Sequence, residues 1–538
     1  MKTRFTLLLS LLVVFQVALA EVHITEADPA NWSTQIFSPY IGQTVVFDIP
    51  IVVSTVSGTT LTVGPWRRFE PENQGEAGSE EYVQTNHINS NLLKLTNAPS
   101  GHRTGEHIYH LTAKVVSKSE LQWQSGSFVG NSKTELQNMN IRRAVGINDD
   151  CDSCLVVCGF NLENYFVTHL GSQYLGADTK AEHEKQRAKT IATLTKINAD
   201  IYGFCELEQG DAAIAEIASD LNKKFPNREY KYFATKSSGT NQKSDFLYDA
   251  KKVEPAGPRV GTNIEVSDRK KMVCFRHIKT GEKFIYSINH FKAMTDANSG
   301  PRREKEARAV VELYNSYRKK KSVRDNDVLF MGDLNSYAKA SPILIFEKNN
   351  MIDLHRAFHA DSSYSYVYGN MAAYIDHALC NETLFRQVTG MMAFHINSDE
   401  PRSNSYKNGG DNTMFRSSDH DPVIVGLRLD STLSQVFDPY VSDIDFSNDS
   451  IMFYYISATG EPKMRFDIYT IDGHQIVPPT NIEFEGEVVE AHSYYYSLSQ
   501  SNPNLPKKLK EFLPLPSGMY VIHFYYDGTV KAHKLLVR

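Results

Sequence analysis

The chain has 538 residues, which at about 150 residues per domain suggests three or so folded units, at least one with a sizeable core. Its 63 acidic and 57 basic residues give a formal net charge of −6, which excludes global attraction to phosphates, so any nucleic-acid binding must be local. In chain order, Lys2 and Arg4, an apolar run from Phe5 to Val17 and then Ala18-Leu19-Ala20 read as a secretory signal over 1–20, with the mature chain starting near Glu21. No later apolar run approaches the roughly 20 residues of a membrane helix, so no integral membrane segment is expected after signal removal.

Residues 21–147 show short strand-like runs, Thr44 to Ile49 and His110 to Val116, between Gly, Asn and Ser clusters. They are expected to form an all-β accessory domain with no chemistry of its own. Cys151, Cys154 and Cys158 suggest a local disulfide staple in an exported chain, whereas a zinc site would need a fourth ligand nearby. Cys205 and Cys274 lie in apolar strand patterns and read as buried small hydrophobes.

Residues 148–430 change to strands alternating with amphipathic helices. Leu155 to Phe160, Ile201 to Phe204, Phe284 to Ile288, Val328 to Met331 and Val423 to Leu427 are apolar runs of strand length. Ala188, Ile191, Ala192 and Leu194 make one helical stripe, Ile214, Ile217, Ala218 and Leu221 a second, and Ala307, Val310, Val311 and Tyr314 a third. Two basic clusters, Arg269-Lys270-Lys271 and Arg318 to Lys321 with Arg324, are either solvated faces or local phosphate contacts. Residues 431–538 lose the helices again and are expected to form a small β-sandwich.

The chemistry collects at strand ends of the central segment. His290 and His420, the acids Glu206, Asp333, Asp376 and Asp419, and the amides Asn161 and Asn335 fit metal-assisted hydrolysis. Hard oxygen donors suit Mg²⁺, with Mn²⁺ or Ca²⁺ as alternatives, and no His-rich spacing favours zinc. Each residue also has a plainer reading: Asp333 and Asn335 as turn formers, Asp376-His377 as an edge-strand pair, His290 as a structural histidine. Their recurrence at one kind of place weakens that reading.

Taken together, Phe160-Asn161-Leu162-Glu163-Asn164, Glu206, Asn289-His290-Phe291-Lys292, Gly332-Asp333-Leu334-Asn335, Ile375-Asp376-His377, Asn397-Ser398-Asp399-Glu400-Pro401 and Ser418-Asp419-His420-Asp421-Pro422 resemble the endonuclease/exonuclease/phosphatase superfamily. This is the fold of deoxyribonuclease I, and within it the chain is most similar to secreted bacterial extracellular nucleases, over roughly residues 154 to 429. The resemblance implies an α+β, four-layer α/β/β/α sandwich flanked by the N-terminal all-β domain and the C-terminal β-sandwich. It implies Asn161, Glu206 and Asp419 as metal ligands, and His420 oriented by Asp376 as the base that activates water. It further implies His290 as the acid at the leaving oxygen, oriented by Asp245, with Asp333 and Asn335 positioning the scissile phosphate. The substrate implied is extracellular DNA, with RNA as a second; a sphingomyelinase-like or other small phosphodiesterase and an inactive surface adhesin are the alternatives. The last segment, with Phe466 to Gly473, Leu515 to Val521 and the end Lys534 to Arg538, resembles a type IX secretion sorting domain, implying export through the periplasm to the cell surface or medium with that secretion machinery as partner.

Overall fold

The computed structural model describes residues 22–429 apart from Ala27, Pro29, Ala30, Asp149, 236–238, 266–267, Ala297 and 360–361, together with the strands found between 440 and 537. The expected signal segment, the junction at 430–431, and Asp472-Gly473 and Leu515 to Ser517 of the C-terminal resemblance lie outside the described residues.

Strands that bury both faces carry apolar residues at successive positions, and side-chain alternation divides them between two cores. In Cys154–Tyr165, Leu155 and Val157 point one way while Val156, Cys158 and Phe160 point the other. The first central sheet runs Tyr230–Tyr232, Gln242–Asp249, Ile201–Glu208, Cys154–Tyr165, Val423–Arg428, Val388–Ala393. The second runs Val253–Pro255, Lys270–His277, Lys283–Asn289, Val328–Asp333, Asp376–Asn381, Met351–Asp353, with Val260–Gly261 also on Lys270–His277. One core lies between the sheets, where Leu155, Ile201, Phe246 and Val425 meet Phe275, Tyr286, Ile288 and Leu329. Helices Lys180–Ile197 and Ala212–Lys224 cover the outer face of the first sheet through Leu194, Ile214, Ile217 and Leu221. Ser299–Tyr317 and Ser341–Glu347 cover the second through Ala307, Val310, Tyr314 and Ile343. The result is a mixed, sheet-rich α+β arrangement of four layers. Asp376-His377 opens strand Asp376–Asn381, paired there with Gly332 and Asp333 alone, while Met351–Asp353 pairs only farther along, with Leu379, Cys380 and Asn381.

Each sheet has one parallel pair joined by a helix: Cys154–Tyr165 with Ile201–Glu208, and Lys283–Asn289 with Val328–Asp333. The carboxyl ends of these four strands therefore lie on one rim, the place where layered sheets bind ligands. Gly332 makes the second pair close: a Cβ there would stand 2.1 Å from the Asn289 carbonyl oxygen. That approach brings Asp333 beside His290.

In the N-terminal segment, strands His107–Ser117, Ile51–Ser57, Thr60–Gly64, Leu93–Thr96 and Glu120–Val129 pair in that order, and the last pairs back on the first, closing a barrel around Val53, Leu61, Leu95 and Val115. The all-β expectation is corrected by helix Glu80–Ser90, started by Ser79, whose hydroxyl accepts from the Tyr82 amide. Short helices Lys133–Asn138 and Ile141–Ala144 follow the barrel. Cys151 pairs with Cys154, while Cys158, Cys205, Cys274 and Cys380 are free and buried. Between 440 and 537 the strands form one three-stranded and one four-stranded sheet. No helix among the described residues is long and apolar enough to cross a membrane.

Candidate active site

The chain ends its four parallel strands with polar residues held in unusual backbone. Glu163 and Asn164 sit in a bulge after Asn161, and together with Glu206, Asn335 and Arg416 they are non-glycine residues with φ between 45° and 62°. Left-handed backbone costs about 1–3 kcal/mol per residue and persists where the surroundings dictate it, most often at functional sites. Here it turns carboxylates and amides of successive strands toward one pit.

Asn161 is fully fixed: its Nδ2 donates to Asp333 Oδ2 at 3.1 Å, its Oδ1 accepts from the Glu163 amide, and its carbonyl accepts from the Ser418 hydroxyl. Glu206 Oε2 accepts from the Asn164 amide at 2.9 Å. Asp333 Oδ1 accepts from the Asn335 amide at 2.9 Å, while the Asn335 side chain donates to the Phe291 carbonyl, next to His290. Among the described residues, two tight groups of ligand atoms form: Glu206, His290 and Asp333, and Asp333, Asp376 and His420. Asp419, expected as a ligand, belongs to neither, but its Oδ1 lies 3.9 Å from His420 Nε2 and its charge acts on Glu206.

His420 is held by a carboxylate and an aromatic ring. Its Nδ1 lies 2.8 Å from Asp376 Oδ2, which also accepts from Ser365, and Tyr366 stacks on the ring at 4.7 Å between centroids. Nε2 thereby faces Asp333 and Asp419, each 3.9 Å away. Burial works against its charge, yet the carboxylates of Asp376, Asp419 and Asp333 outweigh burial and hold its pKa well above the usual histidine value.

His290 differs. Its Nε2 lies 3.6 Å from Glu206 Oε1 and 3.5 Å from Asp333 Oδ2, but its Nδ1 is buried without a hydrogen-bond partner. Asp245 is not its orienting partner: that carboxylate is held by Lys243 at 2.9 Å and Arg259 at 2.6 Å on the neighbouring sheet. Burial, then Arg269, His420 and Lys270, push His290 well below the usual histidine value. A neutral imidazole with no acceptor at Nδ1 places its hydrogen on Nε2, facing the carboxylates. Of the basic cluster beside it, Lys270 is buried against Glu306, Lys271 pairs with Asp268, and the Arg269 carbonyl accepts from the His290 amide.

Glu163 was named in the sequence pattern without a role, and the structure brings it into the site. Burial, and then Asp419 against the opposing pull of Arg416, push its carboxyl up to about 8. Burial raises Asp333 to about 7, with Asp376 and Glu206 adding to it. Glu206 is also raised, by burial first and then Asp419. These buried acids outnumber the cations that oppose them, chiefly His420, Arg416 and Arg269, and their oxygen donors fit a hard divalent cation.

Residues 160–420 match the Endonuclease/Exonuclease/phosphatase family. Among solved structures, an endonuclease/exonuclease/phosphatase family protein from Bacteroides thetaiotaomicron is 18% identical, covers 52% of this chain and 98% of its own, and has a TM-score of 0.37. A mannosyl-6-phosphatase from the same organism is 18% identical over 50% of this chain and 98% of its own, with a TM-score of 0.36. D. rerio TDP2 complexed with single-strand DNA product is 15% identical over 51% and 98%, with a TM-score of 0.36. No curated protein matches the chain. The family includes nucleases and phosphatases and generally uses divalent metals, which agrees with the acidic cluster.

Proposed function

We propose that the endonuclease/exonuclease/phosphatase domain over residues 160–420 is a divalent-metal-dependent phosphodiesterase that cleaves DNA, and RNA as a second substrate, after export of the chain to the cell surface or medium. The observation that carries it is the single pit in which Asp376-held His420 and neutral His290 face each other across Asp333 and Glu206.

Glu206, Asp419 and Asn161, with Glu163 beside them, would hold the cation, Mg²⁺ first and Mn²⁺ or Ca²⁺ as alternatives. When bound, it supplies the charge that those acids lack and stabilises negative charge developing on a phosphate oxygen. Asp376 fixes the His420 tautomer, so that Nε2 takes the proton of the attacking water once the neighbouring carboxylates are neutralised. His290, which the resemblance implies as the acid at the leaving oxygen, would donate from Nε2 to a phosphoryl or leaving oxygen of a substrate seated beside Glu206 and Asp333. Asn161 and Asn335 hold Asp333 in place for the phosphate. The signal-like start and the C-terminal resemblance support export through the type IX machinery.

One observation favours the smaller-substrate alternative. Glu70 and Glu72, half-buried, act on Tyr337, as does Tyr368, with Arg68 and Arg303 opposing their charge, and Tyr368 lies 6.5 Å from Tyr366 on the ring path to His420. Carboxylates there repel a long polyanion. The test is a substrate panel for the purified protein with Mg²⁺ and with a chelator: supercoiled plasmid, linear DNA, RNA, sphingomyelin and a sugar phosphate. Metal-dependent nicking of the plasmid supports the nuclease, whose DNA affinity should also fall with added salt as counterions are released. Turnover of sphingomyelin or the sugar phosphate alone transfers the assignment to a small ester.

A further inference from the structure

We propose that the N-terminal barrel is a working part of the active site, with Arg67 and Arg103 as positioning residues that fix the backbone carrying His420. The inference rests on the phosphodiesterase reading above.

Two ion pairs join the barrel to one short segment of the catalytic domain. Arg67 Nη2 lies 2.6 Å from Asp399 Oδ1, and Arg103 Nε lies 2.6 Å from Glu400 Oε1, with all four side chains buried. Arg103 Nη2 also donates to the His395 carbonyl at 2.8 Å, and Asn131 donates to Asp399 at 2.7 Å. That segment in turn grips the His420 strand end. The amides of Asn397 and Ser398 donate to Asp421 Oδ1 at 2.8 and 3.0 Å, and the Asn397 side chain donates to the His420 carbonyl at 2.6 Å. The ring side of His420 is tied to the same unit. The Ala372 amide donates to the Arg68 carbonyl and the Glu70 amide to the Ala372 carbonyl, so the chain leaving the barrel pairs with the hairpin that carries Tyr366. The Arg67 guanidinium lies 3.9 Å over the Tyr364 ring, whose hydroxyl donates to Asp399, and the next residue, Ser365, donates to Asp376.

A buried ion pair adds little net stability over apolar residues of the same shape, and its attested use is to specify geometry. Here both pairs end within a few residues of the same histidine's supports. A misplacement of about 1 Å at a reacting group can cost on the order of 100-fold in rate, which makes such a tether worth its desolvation.

The test uses the full chain with Mg²⁺ and bis(p-nitrophenyl) phosphate, well below the melting temperature, beside amide hydrogen exchange. For Arg67→Met, kcat is expected to fall about 10- to 100-fold with KM nearly unchanged. Exchange of the Asn397 and Ser398 amides should accelerate while that of Ile201–Glu208 does not. Arg67→Lys, which keeps a single charge contact, should recover much of the loss. A folded Arg67→Met protein with kcat within about twofold of the parent and unchanged exchange overturns the proposal, since a merely structural pair would lower the melting temperature alone. Should Arg67→Met fail to fold, Asp399→Asn is read in the same way. If the parent hydrolyses no phosphodiester, the functional reading fails, and the exchange result still decides whether the tether exists.

Discussion

The end of strand Lys283–Asn289 and the turn before Val423–Arg428 present two histidines to one cluster of carboxylates under opposite constraints. His420 has a carboxylate on Nδ1 and its pKa is raised well above the usual histidine value, whereas His290 has no hydrogen-bond partner on Nδ1 and its pKa is lowered well below it, by burial first and then Arg269. The proposed function therefore gives the same side chain different work at the two places. Both rings are buried, which disfavours their charge; at His420 the carboxylates of Asp376, Asp419 and Asp333 outweigh burial, while at His290 Arg269, His420 and Lys270 add to it. On the proposed function, His420 takes the proton of the attacking water and His290 donates to an oxygen of the phosphate.

The largest expected effect is at His420. His420→Ala should lower kcat by about 10⁴-fold, the upper end of general acid–base contributions, without unfolding the protein. Steady-state kinetics with circular dichroism checks this, and near-normal turnover would remove the residue from the mechanism. His290→Ala should cost less, about 10²- to 10³-fold, as expected for loss of one donor to a developing oxyanion. A larger loss than at His420 would reverse the two roles.

Cation binding sharpens the contrast through pH. Glu163, proposed beside the cation, is pushed up to about 8, and Asp333, proposed at the phosphate beside Glu206, up to about 7; below those values each favours its protonated form, and a cation bound next to them favours release of those protons. Divalent-ion affinity should therefore rise between about pH 6 and 8, measurable by calorimetry in two buffers; a pH-independent affinity would contradict a site built on these acids. Linkage gives the accompanying sign for stability. These carboxyls bind protons more tightly folded than unfolded, so their contribution is present at low pH and is lost as pH rises from about 4 toward 7 and 8. Thermal melts of chelated protein should show that fall, and added Mn²⁺ should reverse it. The smallest catalytic effect is at Asp245. Asp245→Asn should leave kcat of the folded protein within about twofold while lowering the melting temperature, because it breaks a buried ion pair and not a histidine contact. A large fall in kcat would restore Asp245 as a partner of His290.

Residues placed by their own strand were legible in the sequence. Glu206, His290 and Asp333 each close an apolar run and His420 stands just before one, and the three helical stripes fall within Lys180–Ile197, Ala212–Lys224 and Ser299–Tyr317. Pairings across sheets were harder. Asp245 lies at a register shift between Lys243 and Asp245, so its direction could not be counted from sequence alone. Glu163 enters the site only through its left-handed backbone, which an acidic residue does not announce. Helix Glu80–Ser90 has no apolar stripe: Val83 is exposed and Thr85 is its buried residue. The ion pairs from Arg67 to Asp399 and from Arg103 to Glu400 join residues some 300 positions apart and leave no local trace.

The most direct measurement is nicking of supercoiled plasmid by the parent protein and by His420→Ala, each with Mg²⁺ and with a chelator. Metal-dependent nicking by the parent, abolished in the variant, is the predicted result; equal nicking by both, or nicking that survives chelation, would contradict a metal-dependent site centred on His420.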